Sequence, residues 1–278
     1  MAKPKEPIEL DHIRHEPGHV LAPGLFQSLQ KGDYKIKKLD IAYEFGIGER
    51  IEFKAAEPLG VPELKVLQGL IAMAGPAGLI LEPEPATEEG TQLRLLLETK
   101  FDAALENAMV VKSSYRKLAK TIAKGNIDNA KDIKKSIERL WGVSVIVRKN
   151  GQHKGFRLLS EYASDDAEGR LYVALNPRIA SAILGESKYC RISLDEVIEL
   201  VSDSSVLVHQ RLCGYIDSNS SHKVGIDTLC EYVWPTVANP AAMRQRRRRI
   251  REVALKELQT IGWRVVEYAK GKYQIFRP

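Results

Sequence analysis

The sequence predicts an α+β chain, mainly α, built as two tandem winged-helix domains behind an irregular N-terminal arm. Three observations predict it. The order helix, short helix, basic amphipathic helix, β-hairpin occurs twice, with the third helix and hairpin at 129–160 and again at 239–277. The 278 residues are enough for two domains of ordinary size. A hydrophobic share of 44% and a charged share of 28% belong to a folded chain, not a disordered one. The expected units are the arm at 1–30, a first domain at 31–175 and a second at 176–278.

Taken in order, Pro4, Pro7, Pro17 and Pro23 with little periodicity mark the arm. LDIAYEF and RIEFKA, either side of Gly46 and Gly48, predict two short strands. VPELKVLQGLIAMAG puts Leu64, Leu67, Ile71 and Ala74 on one helical face and stops at Gly75-Pro76. EPEPATEEG reads as an acidic loop and QLRLLLE as a strand. SSYRKLAKTIAKG is a short helix with a serine start and a glycine stop. NAKDIKKSIERLWG follows, with Ala130, Ile133, Ile137 and Leu140 at helical spacing. VSVIVRKNGQHKGFRLLSEYA alternates around Asn150-Gly151, a hairpin signal, and RLYVAL is one more strand.

In NPRIASAIL, Asn176 is the N-cap and Pro177 the first helical residue, where its missing N–H costs nothing. ISLDEV is a capping box of Ser193 and Glu196 with Ile192 and Val197 as staple, opening a long helix that continues through VLVHQRLCGYI. After SNSSHKVG come the short helix IDTLCEYVW, an arginine-rich helix and the terminal hairpin WRVVEYAKGKYQIFRP.

The net charge of +6 is unevenly placed. Asn239–Pro278 holds eight Arg and three Lys against three Glu, or +8, so the rest of the chain is slightly acidic. A concentrated basic block points to a polyanionic partner. Within it, six arginines occupy the eight positions Arg244 to Arg251. On a helix of 3.6 residues per turn, Met243, Ile250, Ala254, Leu258 and Ile261 form one apolar stripe. Gln245, Arg248 and Arg249 point away from it, Arg244, Arg246 and Arg251 flank it, and Arg247 falls inside it as a misfit. Asn239 and Pro240 fix the helix start.

A recognition helix needs this division. Its first half meets the major groove, where arginine offers a fork to guanine and charge-assisted bonds to phosphate, and its second half stays in the core. Gln245, Arg248 and Arg249 are the candidates for bases. Arg244, Arg246, Arg251, Lys270 and Lys272 are the candidates for phosphates, the last two on the basic hairpin turn. Upstream, Lys131, Lys134, Lys135 and Arg139 lie off the apolar stripe of their helix, and Arg148, Lys149 and Lys154 sit on its hairpin. Lys112, Ser113, Ser114 and Arg116 open the preceding helix as a phosphate clamp. An ordinary solvated helix face is the competing reading, and it weighs more upstream than downstream.

Other chemistries find no support. There is no GxxxxGK[ST], HExxH, GxSxG or HxH. His12, His15 and His19 are interrupted by Pro17 and Gly18 and have no cysteine near, so no metal site is expected. HQRL at His209 resembles a recombinase motif at the wrong spacing and reads as helix packing. Asp165-Asp166 reads as a solvated turn. No cofactor is expected. No apolar run approaches the ~18–20 residues that span a bilayer. No h-region opens the chain, and the three cysteines form no CxxC, so the expected compartment is the reducing cytoplasm.

LAPGLF, LQGLIAMAGPAGL, GFRLLSEYASDDAEGRLYVALNP, HQRLCGYID, IDTLCEYVWP and GKYQIFRP closely resemble the RepC replication initiators of IncQ-type broad-host-range plasmids, from about Asp11 to Pro278. The departures fall in the first ten residues and around 125–135 and 217–224. The resemblance implies a non-enzymatic protein that binds directly repeated iterons in double-stranded DNA at the plasmid origin. It further implies opening of an adjacent AT-rich segment and loading of a plasmid-encoded helicase and primase. A monomer–dimer equilibrium with dimerisation through the first domain is also implied. A winged-helix repressor is the alternative within the same class. A primase or nicking enzyme, or a helicase-loading adaptor, are alternatives of other classes.

Overall fold

The computed structural model describes residues 12–77, 79–81, 87–97, 108–122, 130–165 and 168–278. The described chain mixes helices and strands. Strand β1 (Ile13–His15) and helix α1 (Pro17–Val20) come first, then α2 (Asp33–Ile36), β2 (Leu39–Phe45) and β3 (Glu49–Ala55). Helix α3 (Val61–Ala77) is followed by β4 (Leu79–Leu81), α4 (Glu88–Leu97), β5 (Ala108–Ser113), α5 (Tyr115–Ile122) and α6 (Ala130–Trp141). Next are β6 (Ser144–Lys149), β7 (Gln152–Arg157), β8 (Leu159–Asp165), β9 (Arg170–Leu175), α7 (Pro177–Leu184) and β10 (Cys190–Ile192). The remainder is α8 (Leu194–Glu199), α9 (Asp203–Cys213), β11 (Ser221–Gly225), α10 (Ile226–Val233), α11 (Pro240–Arg249), a π-helical turn (Ile250–Ala254), α12 (Leu255–Thr260), β12 (Arg264–Ala269) and β13 (Lys272–Phe276).

Helix α3 is the axis of the first half. Leu64, Leu67, Leu70, Ile71 and Ala74 are buried, and α3 packs against α5, α6, β1 and β5. Gly69 permits the closest approach, because a Cβ there would lie 2.3 Å from Ile122 Cγ2. Asn150 (φ 50°) and Gly151 (φ 78°) adopt the left-handed pair that a two-residue hairpin requires, and β6 and β7 pair across them. Asn176 caps α7 by accepting from Ile179 N at 3.0 Å. Ser193 caps α8 through Glu196 N at 3.3 Å.

Several sequence expectations change. QLRLLL, as far as Leu97, is helical, not a strand: Leu93 and Leu97, one turn apart, are both buried, and Leu, Gln and Arg all favour a helix. The acidic loop falls mostly on residues outside the described set. The long helix from Ser193 is broken at 200–202. Ser202 starts a second helix by accepting from Ser205 N, and the Glu257 carboxylate takes the amides of Val201 and Ser202 at 2.9 and 3.0 Å. SHKVG, read as connection, is strand β11.

The arm at 1–30 is not an appendage from Ile13 onward. Strand β1 pairs antiparallel with β10, so Ile13 faces Ile192 from the far half of the chain. His15, Glu16 and His19 are buried; Glu16 accepts from Arg178 at 2.8 Å and from His19 N at 2.7 Å. Burial, then the neighbouring His19, holds the His15 pKa down at about 4. The 175/176 boundary is crossed as well, because α7 packs on β1, α3 and β5, and one hydrophobic cluster runs through both halves.

The upstream hairpin is not free-standing either. It forms half of a four-stranded sheet ordered β2-β3-β6-β7. The terminal hairpin joins β11 in a three-stranded sheet ordered β11-β13-β12.

The most consequential difference lies in the arginine helix. Leu255 is buried, yet at 3.6 residues per turn it falls on the flank near Arg248. The π turn at 250–254 takes up the extra residue, so Ile250, Ala254, Leu255 and Leu258 share one buried face while 240–249 keeps its own phase.

Candidate nucleic-acid interface

Helix α11 begins where Asn239 Oδ1 accepts from Ala242 N at 2.8 Å with Pro240 in the first turn. Its arginines divide into two sets. Arg247, the misfit on the wheel, makes a two-pronged pair with Asp227 on α10, Nε–Oδ1 2.6 Å and Nη2–Oδ2 2.8 Å. Arg246 donates to Thr236 O at 2.6 Å, which secures the loop between α10 and α11. Arg251 donates to the Tyr273 hydroxyl on β13 at 3.3 Å. These three fasten the helix to the preceding helix, the connecting loop and the hairpin.

The second set faces water. Arg244, Gln245, Arg248 and Arg249 are exposed. Arg248 makes one contact, to Glu252 at 2.7 Å one turn on, and its side chain stays 75% exposed. An exposed pair of this kind is screened and readily exchanged for a stronger anion. Lys270 and Lys272 flank Gly271 at the hairpin turn, both exposed. That turn is held by Glu267 Oε1, which accepts from Gly271 N at 2.7 Å, and by Ile226 N donating to Gly271 O at 2.9 Å.

Upstream, Lys131 and Lys135 are exposed and Lys134 is half-exposed on α6. Arg139 turns inward: it donates to Glu57 at 2.5 Å and to the fully buried Glu63 at 3.1 Å, and it lies over the Tyr34 ring at 3.9 Å. Arg148 is paired with Glu52 at 2.9 Å and Lys149 with Glu49 at 3.6 Å. Lys154 lines a cleft together with Arg178, Phe45, Val147 and Phe156. Ser114 spends its hydroxyl as N-cap of α5, accepting from Lys117 N at 3.1 Å, and Ser113 turns to Ser114 O at 3.4 Å. Lys112 and Arg116 are exposed on either side of them. Lys117 and Lys120 are also exposed on α5, and Lys120, one turn beyond Arg116, shares its face.

Among the described residues, one group has the composition of a metal site: Glu196, His209 and Cys213, with ligand atoms all within 4.8 Å of one another. They already contact one another through His209 Nε2, while the buried Nδ1 of the same ring has no hydrogen-bond partner among the described residues. His209 Nε2 and Glu196 Oε2 are 2.6 Å apart, Cys213 Sγ is 3.5 Å from the same nitrogen, and Trp263 Nε1 donates to Glu196 Oε1 at 3.4 Å. Burial disfavours a charged His209, but the Cys213 sulfur and the Glu196 carboxylate outweigh it and raise the pKa to about 9. The arrangement is a buried ion pair joining α8, α9 and the segment before β12.

No helix among the described residues is long and apolar enough to cross a membrane. A family model described as Replication protein C (RepC) matches residues 7–278. No curated protein matches the chain. Domains 2 and 3 of RctB superpose with a TM-score of 0.57 at 10% identity, covering 94% of this chain and 97% of that one. A second RctB structure gives 0.55 at 9% identity, with coverages of 93% and 95%. The Pi initiator protein, solved in complex with iteron DNA, gives 0.51 at 16% identity, with coverages of 95% and 96%. At these identities the likeness is one of fold.

Proposed function

The chain belongs to the RepC family of replication proteins, and we propose that it initiates plasmid replication by binding iteron DNA through two winged-helix modules. The second module is α9, β11, α10, α11 and the β12–β13 hairpin. The first is α3, β5, α5, α6 and the β6–β7 hairpin. One observation carries the reading: the continuous helical stretch 240–260 is anchored by Ile250, Ala254, Leu255 and Leu258 and by Arg246, Arg247 and Arg251, so Arg244, Gln245, Arg248 and Arg249 are left together in water on α11, its first half. Anchored cations of this kind meet DNA without first losing the freedom of a loose helix. The RctB and Pi likenesses support the architecture.

Helix α11 reads one major groove and α6 the next. Successive grooves on one face are about 10–10.5 bp apart, so the pair spans roughly 20 bp as a direct, non-palindromic site. The shared core and the β1–β10 pairing fix the spacing of the two modules. Arg248, Arg249 and Gln245 contact bases; Arg244, Lys270 and Lys272 contact phosphates. Bound copies bend and untwist neighbouring DNA, and the strain is released at flexible AT steps. Unwinding then passes to a helicase and primase, with the protein in the cytoplasm and in monomer–dimer exchange.

Footprinting on the parent origin, repeated across a salt titration, tests this. A direct-repeat footprint of roughly two turns with a steep salt slope is expected. A palindromic footprint, or affinity that random DNA competes away, overturns it.

A further inference from the structure

The three-stranded sheet of the second half has one face in the core and one in water. Val224, Tyr273 and Ile275 are buried and mark the inner side. Strand alternation therefore sends Lys272, Gln274 and Phe276 outward from β13. The register extends this face across the sheet: Lys223 and Val266 flank Gln274, and Ser221 and Arg264 flank Phe276. An irregularity between Glu267 and Ala269 adds Tyr268, and Lys223 Nζ lies 5.2 Å from the centre of its ring. Arg264 lies over Phe276 at 3.7 Å. Val266 is 41% exposed and Tyr268 47%.

This face is basic and aromatic. Lys223, Arg264 and Lys272 are exposed on it. The one carboxylate in the three strands, Glu267, accepts from the Gly271 amide at the turn. A surface bearing cations, a half-exposed Tyr268 ring and a guanidinium plane stacked on Phe276 has little use for a duplex, whose base faces are hidden between neighbours. A single strand offers both phosphates and unstacked π faces, and aromatic and guanidinium planes are what such bases stack on.

We propose that this outer face, centred on Tyr268, Lys223 and Arg264, binds single-stranded DNA. It adjoins the Lys270–Lys272 turn assigned above to duplex phosphates, so the protein holds a duplex repeat with α11 and an opened strand with the sheet. The site centres on Tyr268, Lys223 and Arg264, shares only the edge residue Lys272 with the duplex reading, and stands or falls apart from it.

The test is fluorescence anisotropy of the full chain with a labelled oligo-dT of about 12 nucleotides, with duplex iteron affinity measured in parallel. The wild type binds the oligonucleotide. Tyr268→Ala weakens that binding about tenfold, as loss of one base stack does, and Lys223→Ala reduces its salt dependence. Tyr268→Trp retains it, and duplex affinity stays unchanged in all three. The proposal is overturned if the wild type ignores the oligonucleotide or if Tyr268→Ala binds it equally well. It is also overturned if R248A/R249A abolishes single-strand binding, which places the strand on the duplex surface.

Discussion

The two halves repeat an order of helices and hairpin but treat their cations in opposite ways. In the second half, Arg244, Arg248 and Arg249 project into water, Arg248 with only the exposed Glu252 of its own helical stretch beside it, while Asp227 on α10 takes up Arg247. In the first half, Arg139, Arg148 and Lys149 are each met by a glutamate of the same half, and Glu63 and Glu57 hold Arg139 against Tyr34. The same residue types at matching places stay exposed in one half and hold the fold together in the other. What decides between the two is whether an acid from a distant strand or helix lies opposite.

Four experiments break or sharpen this contrast. The largest effect is expected from Arg139→Ala, which removes the counter-charge of buried Glu63 and leaves it only the neutral donors Tyr34, Gly60 and Ser136. Removing one partner of a buried pair costs about 3 kcal/mol. It should appear as a lower urea midpoint, with iteron affinity intact where the protein is folded. Loss of DNA binding without loss of stability would return Arg139 to the interface.

Second, the two halves carry histidines displaced in opposite directions. His15, with its pKa lowered to about 4, is buried neutral, so its stability is present above the ordinary value of 6.5 and is lost as pH falls from there to about 4. His209, raised to about 9, contributes stability that is complete below 6.5 and lost as pH rises to about 9. Amide exchange read segment by segment should show protection failing first around β1 and α1 in acid, and first around α8 and α9 in alkali. The reverse order contradicts both assignments.

Third, Arg248→Ala and Arg249→Ala should each cost about 1–3 kcal/mol of iteron binding and relax specificity at one position. If both leave affinity unchanged, α11 does not enter the groove. Fourth and smallest, Lys131→Ala and Lys135→Ala should weaken all sequences alike, each flattening the salt slope by about one. A loss confined to one base position would make α6 a reader rather than a clamp.

Much of this was legible along the chain. Asn176, Ser193 and Asn239 each cap the helix they were expected to open, and Asn150-Gly151 turns the hairpin it announced. Such signals survive because donor and acceptor lie within about one turn of each other. The site was half legible. The wheel separated Gln245, Arg248 and Arg249 from the apolar stripe and flagged Arg247 as out of place. It did not foresee Asp227 as the partner, since that residue lies a helix away. Lys117, Lys120, Lys223 and Arg264 went unremarked because one basic residue in a strand or short helix carries no pattern by itself.

By itself the sequence determined the helix starts at Asn176, Ser193 and Asn239, the hairpin turn at Asn150-Gly151 and the placement of its excess charge near the C-terminus, all features read from neighbouring residues. Only the tertiary structure decided which of those charges remain available. Pairing Arg139 with Glu63, β1 with β10, or Leu255 with the core through a π turn depends on surfaces that meet after the chain closes on itself. A cation's fate is set by the nearest anion in space, and local spacing does not record that distance.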